Sequence, residues 1–458
     1  MTQRTAARWW VGMAAVLVGA WLTPVVADSG QKDFASFLEL REIDHSRRFD
    51  LESLTEWTAA EPTVIKVLRR LDAPDAVVAG WRETATRAPA KGEAVVVSDA
   101  LLSIRGRATF VAPQRLPDDL AELLDRPHYD VVRIVDGGGL VVDVLTVAAP
   151  ASWPRWKPMD EPVTALALPL STSAAPRPQA DAADGEAWPA DAPALVAAAA
   201  RVAWHPDTFL GRLGMDYGLF DSVVDGKKLI AGDSAAFYAM LAAAGRTSRP
   251  DVTAAAGKPI DAMVLIDPTR EWYPSHRGDP VIIEGNVRRA MRVPIDEPFL
   301  RKVVGSNHYW ELFVFVETPL LEINGRVQNT YPIVCCVREL PHGMPSGENI
   351  SERVRVAGFA FKRYAYPFDD IRPDEAGHVT DGASRRVTTL LIGPEPTWFP
   401  PASKDASQPI WVIAAAIAAV ALAAIVVASF LYGRSINKAI QKAREDLPDR
   451  VELPSDDG

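Results

Sequence analysis

Cysteine is nearly absent from this chain of 458 residues, which has two, Cys335 and Cys336, side by side. Neighbouring residues on a strand face opposite ways, so Ile-Val-Cys-Cys-Val places one in a core and one outward or against a second element, and a disulfide framework is excluded. Histidine is scarce too. The seven present include no His-x-x-x-His pair, and with no thiolate set beside them a zinc site would need ligands from distant segments; no metal or cofactor is implied. A basic surplus is also lacking, since the formal net charge is -10, which argues against nucleic acid or an anionic membrane surface as a principal partner.

Complete catalytic motifs are missing as well. Gly232-Asp233-Ser234-Ala235-Ala236 lacks the closing glycine of a nucleophile elbow and reads as a helix start, with Asp233 or Ser234 as cap. Ser435-Ile436-Asn437-Lys438 has a Ser-x-x-Lys spacing but comes after a long apolar run with no fold around it. The acidic run Asp369, Asp370, Asp374, Glu375, His378 and Asp381 does not match a calcium loop and reads as solvated.

Long apolar runs are few, and the two present set the topology. Ile410–Tyr432 carries no charge and, at about 1.5 Å per residue, is long enough to cross a hydrocarbon core of about 30 Å. Arg434, Lys438, Lys442 and Arg444 come directly after it, which puts residues 433–458 in the cytoplasm and the transmembrane helix at 409–432. The other run, Trp9–Ala27, is preceded by Arg4 and Arg8 and ends in Val25-Val26-Ala27, so residues 1–27 read as a signal peptide, with an uncleaved anchor as the alternative. Both put the ectodomain outside the cytoplasm. Trp398, Phe399 and Trp411 then fall near the headgroups.

Between the runs, the pattern predicts an α+β ectodomain. Residues 28–92 form a helical arm, in which Val64, Ile65, Val67, Leu68 and Leu71 share one helix face. Two segments then repeat the same landmarks. Ile104-Arg105-Gly106, the helix signal LPDDLAELL, His128-Tyr129, a hairpin at Asp136–Gly139 and a strand at Val163 make the first. Ile283-Glu284-Gly285, DEPFLRKVV, His308-Tyr309, a hairpin at Asn324-Gly325 and a strand at Val354 make the second. Residues 93–170 and 275–399 are therefore expected to be two repeated small β-barrels, OB-like although the helix comes early for that fold, with an open sandwich as the alternative. Residues 171–193, rich in Ala, Pro, Asp and Gly, read as a disordered linker. Residues 194–274 read as a helical insert that opens with PALVAAAARVAW.

LGMDYGLFD at 213–221, AFYAMLAAAGR at 236–246 and the stretch from Cys336 to Tyr366 resemble a family of uncharacterised bacterial membrane-anchored proteins of the same layout. The resemblance implies that layout and no activity, so it assigns no functional residue.

Two function classes stay open. The first is a non-enzymatic binding or assembly module with a membrane or envelope protein as partner; the duplicated framework and the anchor favour it. The second is an extracytoplasmic hydrolase with His205 or His276 against Asp216 or Asp267. A ligand or partner cleft is placed at Trp204, His205, Asp216, Tyr217 and His308: the first four lie in a glycine-punctuated stretch of the insert, and clefts form between domains.

Overall fold

The structure, a computed structural model, describes residues 61–73, 75–94, 97–98, 100–172, 178, 187–267, 272–323, 326–367, 385–401 and 408–445. The signal-peptide reading, the first half of the arm, most of the linker and the acidic run fall outside these residues. Two compact units are present, Met1–Phe399 and Pro400–Gly458.

The first unit opens with helices α1 (Pro62–Leu71) and α2 (Asp75–Thr84). Proline at the first turn of α1 loses no helical hydrogen bond, and the Glu61 side chain accepts from the Thr63 amide. The five apolar residues of α1 expected on one face are all buried, packed with Phe110, Tyr129, Trp156 and Val196. The arm thus coats the first sheet of the chain.

That sheet closes into a barrel of five strands. After β1 (Thr86–Arg87) come β2 (Leu102–Arg115), α3 (Asp118–Leu124), β3 (His128–Asp136), β4 (Val141–Thr146), β5 (Glu161–Ser171) and β6 (Leu195–Trp204). The order is β2-β3-β4-β6-β5, with β5 pairing back to β2; β4 and β6 are parallel and the other pairs antiparallel. Alternate residues of β2 turn inward, so Leu102, Ile104 and Ala108 join Val132, Ile134, Val144 and Ala197 in the interior. Closure leaves none of these five strands with a bare edge along its whole length.

The strand β6 corrects the sequence reading of residues 194–204. Alanine is the best helix former, and LVAAAARVAW was expected to open a helical insert. Here Leu195–Ala199 are all buried, which matches a strand covered on both faces, and the segment fills the gap between β4 and β5. Two rows of backbone hydrogen bonds outweigh a local preference of a few tenths of a kcal/mol per residue. The first barrel therefore extends to Trp204. The stretch at 171–193 interrupts it rather than separating two domains.

Helices come next: α4 (Phe209–Arg212), two 3-10 turns (Tyr217–Ser222 and Ala231–Asp233), α5 (Ser234–Ala244), α6 (Arg249–Ala256), α7 (Ala262–Ile266) and α8 (Trp272–His276). Asp233 precedes α5 but does not cap it. Its carboxylate accepts from the Val224 and Ile230 amides and from Lys362 Nζ at 2.7 Å, with both charged side chains fully buried. Thr208 caps α4, its hydroxyl accepting from the Gly211 amide.

A second sheet contains β7 (Pro280–Pro294), β8 (His308–Ile323), β9 (Arg326–Val337), β10 (Glu352–Pro367), β11 (Arg385–Gly393) and β12 (Thr397–Phe399), with α9 (Pro298–Val304) between β7 and β8. Its order is β11-β9-β8-β7-β10-β12, and β10 also pairs with β11. Cys335 points into one side with Leu312, Val314 and Val356, while Cys336 packs beneath α5 with Phe237 and Met240; both thiols are free and buried.

The second unit holds α10 (Gln408–Glu445), which is long and apolar enough over residues 413–442 to cross a membrane. Its Val420, Leu422 and Phe430 are more than half exposed. Burying such side chains is worth about 1.5–3 kcal/mol each, so this surface calls for an apolar surrounding.

Candidate functional site

Four of the five residues expected at a cleft do come together, where the first barrel meets the helices. Trp204 ends β6, and its indole Nε1 donates to Glu161 Oε2 at 2.7 Å. Asp216 caps the first 3-10 turn: Oδ1 accepts from the amides of Gly218 and Trp204, and Oδ2 from Arg201 at 2.6 Å. The His205 ring is held at both nitrogens, Nδ1 against the Met215 carbonyl at 2.9 Å and Nε2 against the Thr164 hydroxyl at 3.0 Å. A carbonyl only accepts, so Nδ1 carries the proton.

Tyr217 completes this junction. Its ring sits edge-on to Trp204 and Phe220, its hydroxyl meets Thr208 Oγ1 at 2.8 Å, and burial pushes the phenol up to about 12. It also lies over the backbone of Gly278, whose amide donates to Ala360 on β10, so the same aromatic group reaches the second sheet. The polar atoms of these four residues are engaged by protein, which makes the cluster a joint between layers. His308 is not part of it. It stands at the start of β8, with its ring near Asn307, Ser306, Arg292 and Trp310.

Among the described residues, no hydrogen bond joins His205 or His276 to Asp216 or Asp267. His205 is bonded as above rather than to Asp216, and His276 Nδ1 faces the Trp272 carbonyl at 2.8 Å while its ring stacks on the same tryptophan.

An open concavity of about 740 Å³ lies elsewhere, on the outside of the first barrel. It comes from a break in strand pairing. One edge of β2 pairs with β1 at Leu102 and Ser103 and with β3 only from Gly106 onward, so Ile104 and Arg105 have neither neighbour on that edge. Gly106 permits the close approach of β3, since a Cβ there would run into the Val135 carbonyl. Arg87 of β1 forms one wall and the hairpin Asp136–Gly138 the other, with Ser103, Arg105, Arg107 and Thr109 between them and Asp160 at the rim.

The charges here are unequally matched. Asp136 is occupied within its own turn, Oδ1 accepting from the Gly138 and Leu140 amides, and Asp160 is paired with Arg107. Arg87 and Arg105 remain exposed without a carboxylate partner among the described residues. Lys91 Nζ stands beside Gly139 at the same hairpin tip. In the sequence Arg105 stands out only as part of the tripeptide Ile104-Arg105-Gly106. The outward alternation of Ser103, Arg105 and Arg107 was legible there, whereas Arg87 joins them only through the β1–β2 pairing.

Compared with protein families and with curated proteins, the chain matches none.

Proposed function

We propose that the chain is a single-pass membrane protein whose ectodomain, two OB-like barrels descended from one unit, lies outside the cytoplasm and binds a ligand or partner through the groove on the first barrel, without catalysing a reaction. The candidate span trailed by Arg434, Lys438, Lys442 and Arg444 supports the topology.

The duplication is supported by correspondences no shared need for a hydrophobic core would require. Each ring runs first-second-third-fifth-fourth, with its third and fifth strands parallel, the order of an OB barrel. Gly106 pairs with Val163 and Gly285 with Val354, and in both β2 and β7 a register shift comes soon after the glycine. Trp204 donates to Glu161, and Trp398 to Glu352, each at 2.7 Å. These tryptophans pair with Val163 and Val354, and each opens a Trp-x-Pro sequence, so β11 and β12 together match β6.

One observation carries the function: the same scaffold position is decorated differently in the two rings. Arg105, before Gly106, has no carboxylate partner among the described residues, whereas its counterpart Glu284 is neutralised by Arg355 at 2.6 Å. Folding is served by either arrangement, so the unmatched arginines belong to binding. The test is affinity purification of the full chain in mild detergent, as wild type and as Arg87→Glu/Arg105→Glu. A stoichiometric partner recovered with the wild type should be lost from a variant with unchanged circular dichroism. The same partners at the same ratio in both would overturn the assignment to this groove.

A further inference from the structure

The chemistry of the groove narrows its ligand, and resting on the binding role just described, we propose that it takes a phosphate group, clamped between the guanidinium groups of Arg87 and Arg105. Arginine offers a planar fork of donors that matches phosphate oxygens, and charge-assisted bonds of this kind are about twice as strong as neutral ones. Arg87 comes from β1 and Arg105 from β2, so they face the concavity from its wall and its floor.

The local charge balance fits a dianion. Asp160 is paired with Arg107, and the one remaining carboxylate, Asp136, turned into its own loop by two amides, offsets only one of the three cations Arg87, Arg105 and the adjacent Lys91, none of which has an ion-pair partner among the described residues. A phosphate carries a charge of about -1.5 to -2 near neutral pH, which two guanidinium groups and a nearby ammonium balance. Against a formal net charge of -10 for the whole chain, this is a local exception. The Ser103 hydroxyl on the floor provides a further donor. The matching site on the second ring lacks this chemistry, because Glu284 replaces Arg105 and Asn286 replaces Arg107.

The phosphate can come from a soluble phosphoester or from a lipid headgroup. The full chain, reconstituted in phosphatidylcholine nanodiscs, is titrated calorimetrically with inorganic pyrophosphate. Saturable binding is expected, weakened about tenfold by Arg87→Gln or Arg105→Gln and left unchanged by Arg212→Gln, an exposed arginine elsewhere. Nanodiscs containing phosphatidylglycerol separate the sources: if the headgroup is the ligand, it competes and the pyrophosphate heat disappears in wild type, whereas a soluble ligand leaves it intact. Absence of saturable binding by pyrophosphate, or equal affinity in wild type and both groove variants, overturns the proposal. Should that happen while the charge-reversed variant still loses its protein partner, the binding role stands and only the phosphate chemistry falls.

Discussion

Glu311 shows how one partly buried carboxylate sets a pH dependence. It lies on β8 between Tyr309 and Phe313, across from Cys336, with Arg289 at 3.4 Å as its charged partner. Burial raises its carboxyl above the usual glutamate range, and Arg289 opposes that rise without cancelling it. A carboxyl whose folded pKa is raised costs nothing below its unfolded value; its cost grows as pH rises through the folded pKa and persists above it. Glu311→Gln should therefore raise the thermal midpoint at pH 7, with the advantage vanishing under acid conditions where the native side chain is neutral in the folded and unfolded chain alike. Melting curves at several pH values check this. A midpoint at pH 7 equal to or below the wild type would show that the Arg289 pair outweighs the burial cost.

Among the elements, β2 and β7 are the strands on which each ring turns. A glycine in each lets a neighbouring strand approach where a side chain would strike the carbonyl of Val135 or Phe315. Gly106→Ala and Gly285→Ala should each destabilise the first compact unit by about 1–3 kcal/mol, the range for overpacking against a backbone that cannot retreat. Denaturant unfolding of the two variants measures it. A cost at one position and none at the other would weaken the equivalence of the two strands. Their early halves were readable from alternation and from the shared Ile-x-Gly landmark. The strand β6 was not, because its four consecutive alanines carry no period of two and only the open sides of β4 and β5 select a strand.

For the whole molecule, the charge asymmetry around the candidate span makes the topology testable. A reporter active only outside the cytoplasm should work when fused near Gly185 and fail when fused after Gly458. The reverse pattern would refute an external ectodomain, and with it any ligand from outside the cell. The apolar run was readable because composition and length alone decide whether a helix can cross a bilayer, whatever surrounds it.

What the sequence determined by itself was local or periodic: the apolar helix and the buried face of α1. Each depends only on neighbours along the chain. The groove belongs to the tertiary structure, because Arg87 and Arg105 meet only when β1 pairs with β2 and β3 joins later. Tertiary structure also decided that Trp204, His205, Asp216 and Tyr217 form a joint. Their residue types suit a binding site, and only the partners that the fold brings to each polar atom, from Glu161 to Thr164 and Arg201, determine that those atoms are already bound.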